Sequence, residues 1–188
     1  MLKYLEELCS LCGISGDEGA VRAYLHEKIS TFPDILEMYT DALGNLLVHK
    51  KGVHPARHNV LVGAHMDEVG LIVTKILPDG RLRVDAVGGI DADAFIGRAV
   101  QIPGVGLGVV GAQPVHKLSA DAREKKPKKS DLFVDIGTSS KEASEAFVKP
   151  GDAVCCYSEF LTLGGGRVAS KAIDDRFGCA AMLCLLQG

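Results

Sequence analysis

A histidine and two carboxylates close the stretch Asn59-Val-Leu-Val-Gly-Ala-His65-Met-Asp67-Glu68-Val-Gly70, and those side chains can hold a metal ion or move a proton. The apolar run before them suits a buried parallel strand, and in open α/β sheets ligands collect beyond the carboxyl ends of such strands. Side chains two apart on an extended segment share a face, so of His65 and Asp67 one can ligate while the other orients. Taken alone, His-x-Asp also fits a histidine satisfied by nearby backbone, with its carboxylates in water. A second polar cluster, Lys171-Ala-Ile-Asp174-Asp175-Arg176, stands where another strand hands over to a helix. The two clusters together suggest metal.

Two helices and a turn must position the first cluster. Tyr4, Leu5, Leu8 and Leu11 fall on one helical face, which predicts a helix over 2–12 ended by Gly13. Ser15-Gly-Asp-Glu18 has the capping-box pattern and opens a second helix, with Val21, Tyr24, Leu25, Ile29 and Phe32 at helical spacing up to Pro33. Segments 35–41 and 46–50 read as strands, joined where Gly44 and Asn45 can supply positive φ. A polar connection over 50–58 leads to the strand that ends at His65.

After Gly70 the texture changes to short strands and glycine-rich turns, the pattern of a small all-β unit. The pairs 71–77 with 81–87 and 97–103 with 105–111, and a strand over 132–136, belong to it. A helix over 141–147, capped by Ser139, interrupts it. Gly106-Leu-Gly108-Val-Val-Gly111 matches the dinucleotide fingerprint, yet no helical pattern follows Gly111, so a β-turn is the better reading. Val168-Ala-Ser returns to the α/β style, and an apolar helix starts at Gly178.

Composition narrows the function classes. The 188 residues are 47% hydrophobic and 24% charged with net charge −3, a globular composition without the basic face of a nucleic-acid binder. The basic concentration at Arg123–Lys129 is a solvated loop, and 117–130 is expected to be mobile. His116 reads as structural. No signal peptide or apolar span of membrane length is present, which predicts a cytoplasmic protein without a membrane partner. The six cysteines, mostly among apolar neighbours, read as buried reduced thiols.

Several stretches in order resemble the cytosolic co-catalytic metallo-aminopeptidases, a family that includes glutamyl, leucyl and deblocking aminopeptidases and the tetrahedral dodecamers formerly called endoglucanase or cellulase M. They are Gly13-Ile-Ser-Gly16, Asp41-Ala-Leu-Gly44-Asn45, His65-Met-Asp67-Glu68-Val-Gly70, Asp131-Leu-Phe-Val-Asp135-Ile-Gly137, Pro150-Gly-Asp152 and Lys171-Ala-Ile-Asp174-Asp175-Arg176. The resemblance implies an α/β fold class: a metallopeptidase-type domain, incomplete at its C-terminus, interrupted by a small β-barrel. The expected division is 1–69 and 165–188 for the peptidase part and 70–164 for a barrel used in homo-oligomer contacts. It also implies two divalent metal ions, zinc or cobalt. His65 would ligate one, Asp174 would bridge both, and Asp67 would orient His65 in the catalytic site. Asp175 would set the backbone there.

The implied reaction removes the N-terminal residue of a peptide, with metal-activated water and a glutamate as general base. In the family that base is a Glu-Glu pair after the Asp-Asp-Arg motif, followed by another carboxylate and a late histidine, and this sequence lacks them. Glu68 and Glu159 are placed too differently to substitute. A non-catalytic assembly fragment is the alternative. Carbohydrate hydrolysis is disfavoured, because neighbouring Asp67 and Glu68 point to opposite faces of a strand.

Overall fold

The computed structural model describes residues 1–52, 54, 58–112 and 127–188. They fall into two compact units, one of residues 1–68 and 160–188 and one of residues 69–159. His116, residues 117–126 of the expected loop and Arg123–Lys126 of the basic stretch lie outside the described residues.

The first unit opens with helix α1 (Leu2–Ser10), which buries Leu5, Leu8 and Cys9 as the helical spacing predicts. Helix α2 (Gly19–Ile29) buries Val21, Leu25 and Ile29. The capping box does not form: Glu18 itself occupies the N-cap, and its carboxylate accepts from the Gly16 amide at 2.6 Å. The Ser15 hydroxyl has a competing acceptor, the Asp67 carboxylate. Strands β1 (Ile35–Thr40) and β2 (Leu46–Lys50) form an antiparallel pair. Asp41 closes their turn, accepting from the Leu43 and Asn45 amides at 2.9 and 2.8 Å, and of Gly44 and Asn45 only Gly44 takes a positive φ.

The expected strand into His65 is absent, since residues 59–67 carry no strand pairing among the described residues. An apolar run signals burial but cannot supply a neighbouring strand, and Leu61 is 95% exposed. The chain regains pairing at Glu68, which bridges Ile14 in parallel.

In the second unit six strands close into a barrel in the order β3-β4-β7-β6-β5-β8. They are β3 (Gly70–Ile76), β4 (Leu82–Val87), β5 (Ala99–Ile102), β6 (Gly106–Gly111), β7 (Phe133–Asp135) and β8 (Ala153–Cys156). Closure leaves no free sheet edge, and alternate residues such as Leu71, Val73, Leu82, Val84 and Val134 fill the interior. The glycine fingerprint forms strand β6, paired with β5 and β7, where the sequence reading put a β-turn. A short helix α3 (Ala92–Phe95) has no counterpart in the sequence reading, and α4 (Lys141–Glu145) is capped by Ser140 instead of Ser139.

Back in the first unit, β9 (Leu161–Leu163) pairs with β10 (Arg167–Ala169), and helix α5 (Ile173–Gln187) ends the chain. Asp174 and Asp175 are non-helical within α5, so its regular part follows them. Cys179, Ala180 and Leu183 of α5 join Leu8, Val21 and Leu25 in one core. Cys9 and Cys179 are buried, and both, with the partly buried Cys184, are free thiols. No helix among the described residues is long and apolar enough to cross a membrane.

Candidate metal centre

Three segments of the first unit converge on His65. Its own segment is tied down at Glu68, whose amide donates to the Gly13 carbonyl at 2.9 Å. The turn after α1 supplies Ser15, and the segment leading into α5 supplies Asp174.

A carboxylate faces each ring nitrogen of His65. Nδ1 lies 3.0 Å from Asp67 Oδ1, and Nε2 lies 3.2 Å from Asp174 Oδ1. Asp67 is held in turn by a hydrogen bond from the Ser15 hydroxyl, the main influence that keeps its carboxyl below the usual range. Partial burial pulls the His65 imidazole down and is the largest single influence on it. The hydrogen bond to Asp174 and the backbone and carboxylate of Asp67 together outweigh burial, so His65 titrates above its ordinary value.

The arrangement has a chemical consequence. A neutral imidazole carries one proton, so donation from Nδ1 to Asp67 leaves an Nε2 lone pair facing the Asp174 carboxylate. Two acceptors at that distance require a proton or another cation between them. Zinc ligands sit about 2.0–2.2 Å from the metal, so neighbouring corners of a tetrahedral shell are roughly 3.3 Å apart. The 3.2 Å separation of Nε2 and Oδ1 matches such an edge, and these two atoms fit two positions of a divalent-cation shell. No group of three or more metal-ligating side chains occurs among the described residues. The side chains of His65 and Asp174 are 54% and 97% exposed, so the pair is open to solvent.

The Asp175 carboxylate accepts from the Gly178 amide at 2.9 Å and caps the regular part of α5. Cys179, whose thiol burial pushes up to about 11, donates to the His65 carbonyl at 3.4 Å and stays protonated at neutral pH. Glu68, Lys171 and Arg176 form a buried ion cluster behind the site, with Lys171 Nζ 2.7 Å and Arg176 Nη2 3.7 Å from the same Glu68 Oε1. Burial pushes the Glu68 carboxyl up against the pull of both cations. Ser15, Glu68, Lys171 and Arg176 support the site, and sequence reasoning gave none of them a role in it. All four lie in stretches that carry the family resemblance, but Ser15 is 52 residues from Asp67, too far for spacing to connect the two.

Comparison with known proteins gives a consistent result. The M42 glutamyl aminopeptidase family profile matches residues 44–188. A putative aminopeptidase of Acetivibrio thermocellus is 37% identical over 183 residues, which are 97% of this chain and 52% of that protein. A Thermotoga maritima crystal structure described as an endoglucanase superposes with a TM-score of 0.84 at 37% identity, covering 97% of this chain and 53% of its own. The TET1 peptidase of Pyrococcus horikoshii, described as assembling into a tetrahedron or a large octahedral shell, superposes with the same TM-score at 35% identity. In that case 99% of this chain and 55% of the TET1 chain are covered. The chain thus spans about half the length of the relatives it matches.

Proposed function

Because this chain belongs to the M42 glutamyl aminopeptidase family, we propose that it carries the first half of a metal-dependent aminopeptidase centre acting on the free N-terminus of peptides. His65 and Asp174 are ligands for divalent cations, zinc or cobalt, and Asp67 orients His65. The observation that carries the reading is the 3.2 Å approach of His65 Nε2 to Asp174 Oδ1, with Asp67 fixing the opposite nitrogen. A ligating histidine whose second nitrogen meets a carboxylate is the usual arrangement of a tuned metal ligand.

A bound divalent cation supplies a water of lowered pKa and polarises the scissile carbonyl. This chain's own residues do the positioning. Ser15 holds Asp67, Asp67 sets the tautomer and ring plane of His65, and the Asp175 cap fixes the backbone next to Asp174. Glu68 is excluded as general base, because it is only 7% exposed and its carboxylate is engaged by Lys171 and Arg176. His65 and Asp174 leave positions of each metal shell to be filled.

The test is cation binding and hydrolysis of unblocked peptides by this chain with zinc or cobalt, with chelator, and with His65→Ala. Binding reversed by chelator and abolished by His65→Ala is expected. Release of N-terminal residues with the same dependence would extend the reading to activity, and absence of cation binding would remove it.

Assembly with copies of itself through the β unit is the second part of the proposal. Exposed Leu107 and Val109 on β6 and Phe147 after α4 support it, together with the assembly described for the Pyrococcus horikoshii relative. Light scattering on eluting protein should show an oligomer; a strict monomer at every concentration would reject this part.

A further inference from the structure

We propose that Glu68 is a positioning residue: its buried carboxylate, gripped at one oxygen by Lys171 and Arg176, holds the His65 segment in register with Asp174. The consequence for metal binding rests on the reading of His65 and Asp174 as ligands, whereas the geometry of the grip does not.

The cluster is placed around the two ligand candidates with short lever arms. Glu68 is three residues beyond His65, Lys171 three before Asp174, and Arg176 two beyond it. Asp174 is therefore bracketed by two cations that meet at Glu68 Oε1, at 2.7 and 3.7 Å. The rest of the cluster is anchored as well. Lys171 Nζ also donates to the Leu11 carbonyl and Arg176 Nη1 to the Leu8 carbonyl, each at 2.7 Å. These carbonyls lie at the C-terminal end of α1, which carries the helix's partial negative charge, and the Leu8 oxygen also accepts from the Leu11 amide at 3.2 Å. The Glu68 main chain is fixed to Gly13 and Ile14.

Burying this cluster has a desolvation cost that apolar packing would avoid. Arg176 is fully buried, yet its Nε and Nη2 have no hydrogen-bond partner among the described residues, so the cost is not fully offset there. Gly13 makes room for it, since a Cβ there would lie 3.0 Å from Arg176 Nη2 and 2.8 Å from the Val21 side chain. What the cluster offers over an apolar contact is direction. Apolar surfaces can slide, but two cations sharing one oxygen set a single register between the segments.

The test compares Glu68→Gln, Lys171→Met and Lys171→Arg with Leu5→Ala, a destabilising change in the same unit's core at a residue outside the three charged side chains. Two readouts are used: the 15N-imidazole signal of His65, assigned by its loss in His65→Ala, and cobalt affinity by chelator competition. Circular dichroism checks that each variant is folded. Glu68→Gln and Lys171→Met should shift the His65 signal and weaken cobalt binding about 10- to 100-fold, the usual effect of removing a group that orients metal ligands. Lys171→Arg should restore both, and Leu5→Ala should move neither.

An unmoved His65 signal in folded Glu68→Gln, or the same shift in Leu5→Ala, overturns the proposal. If Glu68→Gln does not fold, Lys171→Met decides, because it leaves Glu68 balanced by Arg176, and its rescue by arginine is the supporting outcome. Were wild-type protein to bind cobalt no better than His65→Ala, the metal reading would fail while the imidazole signal still decided this one.

Discussion

With a carboxylate at each ring nitrogen, His65 is a proton site whenever it is not a cation site. Asp174 and Asp67 raise its pKa above the ordinary value of about 6.5. In metal-free protein the protonated form is the one that gains from folding. That contribution is complete below about pH 6.5 and is lost as pH rises through the folded-state value. Asp67 behaves oppositely, contributing above its unfolded value of about 3.8 and losing the contribution as pH falls through its lowered one. Two outcomes follow at this scale. Cobalt affinity should fall as pH is lowered through the raised His65 value, because proton and cation compete for Nε2. In metal-free protein, Asp174→Asn should lower the His65 midpoint followed by NMR, and an unmoved midpoint would show that the Asp174 contact does not form in solution.

Among the elements, the start of α5 is the tightest point near the site. A Cβ on Gly178 would lie 2.5 and 2.6 Å from the Asp175 carboxylate oxygens and 2.8 Å from the Ala64 Cβ. Gly178→Ala should therefore lower stability by about 1–3 kcal/mol in urea unfolding, as overpacking does. Asp175→Ala removes the cap and should cost about 0.5–2 kcal/mol. The double variant should cost less than the sum, because the first clash is with the side chain that the second removes. Legibility at this scale followed the range of the interaction. Helices α1 and α2 and the β3–β4 hairpin were readable from spacing, because side chains three or four apart, or two apart, settle them locally. The strand expected before His65 failed because a strand exists only through partners elsewhere in the chain. The Ser15 cap failed for a related reason, a better acceptor 52 residues away. Motif spacing brought His65, Asp67 and Asp174 into view, but the ion cluster behind them depends on three segments that only the fold brings together.

For the whole molecule, the decisive fact is that each unit has a core of its own. Every buried residue of one cluster, from Leu71 to Val154, lies within 69–159, and every buried residue of the other lies in 1–68 or 160–188. The barrel's hydrogen bonding is equally self-contained, since all six strands come from its own unit and closure removes the edges that would need another chain. A segment with its own closed sheet and its own buried side chains meets the conditions for folding alone. The fragment 69–159 should accordingly show β-type circular dichroism and one cooperative melting transition. Leu82→Ala should lower its stability by about 2–5 kcal/mol, because Leu82 is fully buried in the barrel interior and truncation leaves a cavity. A fragment that melts without cooperativity would mean that the barrel depends on residues outside it. The candidate metal centre obeys the same division, for Ser15, His65, Asp67, Glu68, Lys171, Asp174 and Arg176 all belong to the first unit. Changes confined to the barrel core that leave the first unit folded should therefore leave cobalt affinity unchanged, and a parallel loss of both in Leu82→Ala would contradict that separation.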